Sequence, residues 1–252
     1  MSDWQNPADY EYTSSLNKQQ WAWEFLRRHS SYQDDYQWFI TQWQALENDY
    51  GKAPDMDYQA WKQDPRSYKI VDLDSEQDGN CAIAQDKLLI ECWMGNKWGF
   101  FKFPRAPEIT ALDTDIHWRD LAPEYFYITQ EQLGNWPEVL SEPDRKSVFQ
   151  QAVIDLARPL KEQLNYLKQQ LIMAQRRLKK KGRINAYTIA GKAQLWRLCL
   201  RFLDARRANV RDEIIIQTLT ADSDMSWTLD IIQNEAEFYL LHYLDILTFM
   251  EK

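Results

Sequence analysis

The sequence predicts an α+β protein: a small α+β N-terminal domain, then a long helix and an all-α, helix-turn-helix-like C-terminal domain. Three observations predict it. Aromatic residues at helical spacing open the chain, two strand-like runs follow between 81 and 103, and helical periodicity takes over from Ser141. The divisions expected are a domain at 1–140, connecting helices at 141–182 and a helical domain at 183–252. A chain of 252 residues has room for two cores, and with 44% apolar and 27% charged residues it is of ordinary globular composition.

The first helix is expected over Asn17 to Arg28, with Asn17 as its cap. Trp21 and Phe25 mark its apolar edge and Arg28 a basic one, and a second run continues through Tyr36, Phe39, Ile40 and Trp43. Residues 54–80, with Pro54, Pro65 and many acids, read as loop. Strands are expected at Cys81–Cys92 and Lys97–Phe103, joined in a hairpin by Met94, Gly95 and Asn96. Pro104, Pro107, Pro123 and Pro137 then punctuate the chain.

In the second part, Pro159 suits the first turn of a helix. Leu160, Leu164, Leu167, Leu171, Ala174 and Leu178 alternate by four and three, a seam with coiled-coil spacing. Such a seam either packs within its own domain or joins subunits. Gly182 ends this helix. The next is expected from Lys192 to Ala208, with Leu195, Leu198, Phe202 and Ala205 inward, a third from Asp212 to Leu219, and a last from Ser226 to Met250. Asn209 is placed to supply a left-handed residue in the turn between the first two of these.

The start of the chain, Met1 to Gln5, lacks the basic, apolar pattern of a signal peptide, and apolar runs are far shorter than the ~18 residues of a membrane span. Cys81, Cys92 and Cys199 are odd in number and suggest free thiols in a reducing cytoplasm. His29, His117 and His242 are scattered singly, and no metal or nucleophile motif is present. Asp74, Glu76 and Asp78 mimic the opening of a calcium loop, but Gln85 stands where a bidentate carboxylate is needed. No enzyme activity and no cofactor are therefore expected.

Charge carries the strongest signal. The net charge of −8 hides a basic island: residues 176–211 hold twelve basic side chains and one acid, Asp204. Local field, not net charge, governs the approach of a polyanion. The candidate DNA-binding residues are Arg176, Arg177, Lys179, Lys180, Lys181 and Arg183 in one cluster, and Lys192, Arg197, Arg201, Arg206, Arg207 and Arg211 in another. Arg197 and Arg201, four apart, share a face drawn opposite the Leu198–Phe202 stripe. Gln217 and Asn209 are neutral candidates for base contact. The competing reading is that these cations neutralise acidic flanks within the fold or between subunits.

A resemblance follows from particular residues. The string Trp21-Ala22-Trp23-Glu24-Phe25-Leu26-Arg27-Arg28, with Tyr32 and Tyr36, resembles the start of the proteobacterial transcriptional regulator-like domain, and Lys97 to Phe100, Phe103-Pro104 and Trp118 resemble later landmarks. Asp155 to Leu160 with Gln163-Leu164 resembles the lead-in to a partner domain. Leu200 to Arg206 with Glu213-Ile214 is similar to the first helices of the DNA-binding domain named for type VI secretion transcription factors. The resemblance implies an activator of type VI secretion genes that binds double-stranded promoter DNA. It also implies a homo-oligomer, a hexamer in the pattern of the family, and an N-terminal domain that holds subunits together or touches RNA polymerase or another regulator. Two departures matter: the turn after Asp204-Ala205-Arg206, usually glycine-bearing and longer in that family, is here Ala208-Asn209-Val210, and the last helix, arginine-rich in that family, here carries Asp230, Glu235, Glu237 and Asp245. DNA contact is therefore expected from 176–211. The alternatives are a non-enzymatic adaptor whose basic belt docks sister chains, or an acidic DNA-mimic inhibitor.

Overall fold

The computed structural model describes residues 3–71, 82–84, 86–113, 115–119, 154–182, 188–221 and 227–251. It is mostly helical, with one small sheet. The chain forms two units, Met1–Leu121 with Thr188–Lys252, and Ala122–Tyr187.

In the first unit, a 3-10 segment, Pro7–Ser15, leads to α1, Lys18–Leu26. Asn17 caps α1 as expected: its side chain accepts from the Gln20 amide while the Gln20 side chain accepts from the Asn17 amide, a reciprocal box. Helix α2 spans Ser30–Tyr50 and ends at Gly51, whose φ of 86° no other residue adopts readily. Residues 58–70 are not loop. They form α3, Tyr58–Gln63, capped by Asp57, a 3-10 turn at Pro65–Ser67, and strand β1, Tyr68–Ile70. Strands β2, Ala82–Ala84, and β3, Lys87–Leu89, complete an antiparallel sheet of order β1-β3-β2, with Tyr68 opposite Leu89 and Ala82 opposite Leu88.

The expected hairpin through Gly95 and Asn96 is replaced by a helix, α4, Ile90–Trp98. The glycine there answers a packing demand, not a turn. A Cβ on Gly95 would lie 2.9 Å from the Phe100 carbonyl oxygen and 3.0 Å from that of Lys102. The left-handed residue is Gly99, φ 76°, which ends α4. Cys92 is disulfide-bonded rather than free, so the thiol argument for a reducing compartment keeps only Cys199, which is free and buried; Cys81 lies outside the described residues.

Thr188 caps α6, Ile189–Arg207, and α7 follows at Asp212–Ala221. The α6 end is a Schellman turn: the Val210 amide donates to the Ala205 carbonyl, the Asn209 amide to that of Arg206, and Asn209 takes φ 55°, as expected of it. The last helix is shorter than its periodicity suggests. Helix α8 spans Leu229–Leu241, capped by Thr228 rather than Ser226, and breaks at His242 into a 3-10 segment, Tyr243–Thr248.

Sequence patterning separates 1–140 from 183–252, yet the two ends share one core in the first unit. Helix α1 packs on α6, α8 and the 3-10 segment Tyr243–Thr248. Trp196 of α6 meets Trp21 at 5.3 Å and Phe25 at 6.0 Å between ring centres, and Tyr239 and Phe249 close on it from the C-terminal side. A second cluster joins Trp23, Tyr32, Phe100 and Trp118. Each such ring contributes about 1.5–3 kcal/mol on burial. Trp21 and Phe25, the expected apolar edge of the first helix, are thus core, with Trp23 beside them.

The second unit is described over 154–182. Asp155 and Gln163 exchange hydrogen bonds that set the start of α5, Leu160–Lys180, with Pro159 just outside the helix as its cap residue. No residue of α5 is buried. Of its seam, Leu160, Leu164 and Leu171 are exposed and Leu167, Ala174 and Leu178 half-buried. The acidic run 74–78 and the helix onset at Ser141 lie outside the described residues.

Candidate nucleic-acid interface

The twelve candidate cations divide by what surrounds them. On α6 the apolar positions do not form one stripe. Leu195, Leu198 and Phe202 are buried, but so are Trp196, Cys199 and Leu200, because the helix is covered on two sides, by α8 and by the N-terminal 3-10 segment. Arg201 falls under that second cover and is only 1% exposed. Its guanidinium donates to the backbone oxygens of Trp4, at 2.8 Å, and Gln5, at 3.1 Å. Arg201 is therefore a strap holding the N-terminus, and it cannot meet a phosphate. Arg197 donates to the Thr13 hydroxyl at 3.0 Å, and Lys192 pairs with Glu235 at 2.5 Å. The face drawn through Arg197 and Arg201 is internal. Spacing defined the face; only packing shows that it is covered.

The acid of the island has its own role. Asp204 receives two hydrogen bonds from Arg28, at 2.9 Å each, and one from the Tyr10 hydroxyl at 2.6 Å. Arg28 also reaches Glu24 at 2.6 Å, and Glu24 takes further bonds from Arg27, Tyr12 and the Ala111 amide. Burial works against ionised Glu24, but the Arg28 and Arg27 guanidiniums outweigh it and hold its carboxyl below the usual range. Burial likewise opposes the Arg28 charge, and Asp204 and Glu24 more than restore it. Burial first, and then Asp204, pushes the Tyr10 phenol far up, so it stays a donor. This network joins α1 to α6 and was not visible in sequence, where Arg28 reads as an exposed basic edge.

What remains exposed lies in two places. In the first unit the end of α6 carries Arg206, Arg207 and, past the turn, Arg211. Arg206 pairs with Asp212 at 3.0 Å, with both side chains 43% exposed, and it sits over the Phe202 ring. Such an open pair contributes ~1 kcal/mol at most and yields readily to a phosphate. Arg207 and Arg211 have no ion-pair partner among the described residues. Asn209 and Gln217 are exposed beside them. In the second unit the last turns of α5 present Arg176, Arg177, Lys179, Lys180 and Lys181, exposed save for half-buried Lys179 and without an acid partner among the described residues. Arg183 lies outside the described residues.

Cations at a helix C-terminus are stabilised by its dipole, which favours this crowding at the end of α5. Chemically the two groups offer fixed positive charge to a polyanion. Among the described residues no group of carboxylates, histidines and cysteines is placed to hold a metal, and no helix is long and apolar enough to cross a membrane.

The string from Trp21 to Arg28 now has a structural meaning: its aromatics fill the core and its Glu24 and Arg28 anchor α6. One family model spans that string. Residues 3–61 match the model of the proteobacterial transcriptional regulator-like domain. The match indicates a regulatory role and covers α1, α2 and the start of α3. No curated protein and no solved structure matches the chain.

Proposed function

We propose that the protein is a non-enzymatic, cytoplasmic DNA-binding transcriptional regulator, an activator of type VI secretion genes, that works as a homo-oligomer on double-stranded promoter DNA. The observation that carries the proposal is the crowding of Arg176, Arg177, Lys179, Lys180 and Lys181 on a largely exposed helix end, without an acid partner among the described residues. Phosphates bind such cations by releasing condensed counterions. The exposed Arg207 and Arg211 add charge beside Asn209 and Gln217, which are free to reach base edges. The regulator-like match at 3–61 supports the regulatory part, and the sequence resemblance of Leu200 to Arg206 supports the type VI assignment. Contact with RNA polymerase or another regulator completes the proposal for an activator.

The test is binding to a labelled promoter duplex across a salt series. Replacing Arg177, Lys179, Lys180 and Lys181 by Ala is expected to weaken binding and to lower the log–log salt slope by about 0.9 for each phosphate left without its cation. An unchanged slope in a folded variant would remove this cluster from the interface. Arg201→Ala is a poor probe, because it destabilises the core instead.

A further inference from the structure

Two exposed apolar stripes run along helices in this chain, and their flanking charges are opposite. On α5 the seam assigns Leu164, Leu171 and Leu178 to one core position of a heptad and Leu160, Leu167 and Ala174 to the other. The positions beside the seam are Lys161, Lys168 and Arg177 with Gln163, Gln170 and Gln175. No acid flanks it, since Glu162 lies on the far side. On α8 the buried face is Ile232, Ala236 and Tyr239. The outward face carries Ile231, Asn234, Phe238 and Leu241 at heptad spacing, with Phe238 47% and Leu241 65% exposed. Its flanks are Asp230, Glu235 and Glu237, with His242 at the helix end; Glu235 pairs with Lys192, while Asp230 and Glu237 are exposed.

Flanking charges set partner choice in paired helices. Two copies of α5 laid together place lysine or glutamine against lysine, glutamine or arginine, so no ion pair supports that pairing. The α8 stripe supplies both the apolar knobs and the missing acids. We propose that α5 of one chain docks on the outward face of α8 of a second copy, its basic flanks against Asp230 and Glu237. The α8 stripe, Ile231 to Leu241, covers about half of α5, and the exposed leucines 160, 164 and 171 are the half that fits it. The contact joins two different surfaces, so each chain offers both halves and can engage a neighbour through each. The cations from Arg176 to Lys181 lie beyond the docked half and stay available to a polyanion. The inference rests on the self-association in the proposed function but not on its DNA contact.

The experiment uses the full chain in light scattering at low salt. One variant carries Lys161→Glu with Lys168→Glu; the other carries Asp230→Lys with Glu237→Lys. All four positions are exposed, so circular dichroism should match the unaltered chain. The unaltered chain should give a multiple of the monomer mass, and each variant alone should fall to one monomer. An equimolar mixture should rise well above the monomer mass, because alternating variants pair opposite charges at every contact. A monomeric unaltered chain, variants that keep their mass, or a mixture that stays monomeric would each overturn the docking. So would an assembly broken by Leu164→Asp and indifferent to the α8 changes, which would assign the seam to α5 pairing with itself. None of these readouts involves DNA, so failure here leaves the salt-slope test untouched.

Discussion

Glu24 shows what a single buried charge does in this protein. It lies among Arg27, Arg28, Tyr12 and the Ala111 amide, with no exposure to water. Glu24→Gln keeps the shape and removes the charge, leaving Arg28 with Asp204 alone. Removing one partner of a buried pair costs about 3–5 kcal/mol, and urea unfolding at pH 7 should show a loss of that order. The pH dependence follows from the direction of the shift. Glu24 is held below its usual range when folded, so the unfolded chain takes up the proton more readily as pH falls. Its stabilisation is complete above the ordinary carboxylate range, near 4.5, and is lost as pH drops below it. The variant should lack that part of the acid slope; an equally steep acid loss in Glu24→Gln would assign the slope to other carboxylates.

At the scale of elements, the turn between α6 and α7 is set by one residue. Asn209 stands at φ 55°, where a Cβ-branched side chain is strained. Asn209→Val should lower the unfolding free energy by about 1–2 kcal/mol, and Asn209→Gly should leave it nearly unchanged. A thermal melt of the two variants separates these outcomes, and equal melting temperatures would show that the turn does not depend on its left-handed residue. This position was legible in sequence because the rule behind it is local. So were the Asn17 cap, α2, the helix α5 and the inward face Leu195, Leu198, Phe202 and Ala205. Gly95 was not legible. Its small size serves a backbone 2.9 Å away in the next segment, and a glycine beside an asparagine reads as a turn unless that neighbour is known. Arg201 failed for the same kind of reason. Periodicity assigns a residue to a face, but the number of faces covered depends on segments almost two hundred positions away. The charge count was sound and the partition of the charge was not: Lys192, Arg197 and Arg201 hold the fold together, while the α5 end and Arg207 with Arg211 face outward.

At the scale of the whole molecule, the first unit is built from both ends of the chain. The core that buries Trp21 and Phe25 needs Trp196, Tyr239 and Phe249. A fragment of residues 1–140 should therefore fail to unfold cooperatively in a thermal melt and should bind an apolar dye. A sharp transition in that fragment would show that the N-terminal part folds alone. The joining of distant ends has a consequence for biosynthesis. Translation proceeds at roughly 5–20 residues per second, so α1 leaves the ribosome roughly ten to thirty-five seconds before the tryptophan of α6 that covers it. During that interval the nascent chain carries aromatic side chains whose cover has yet to be synthesised.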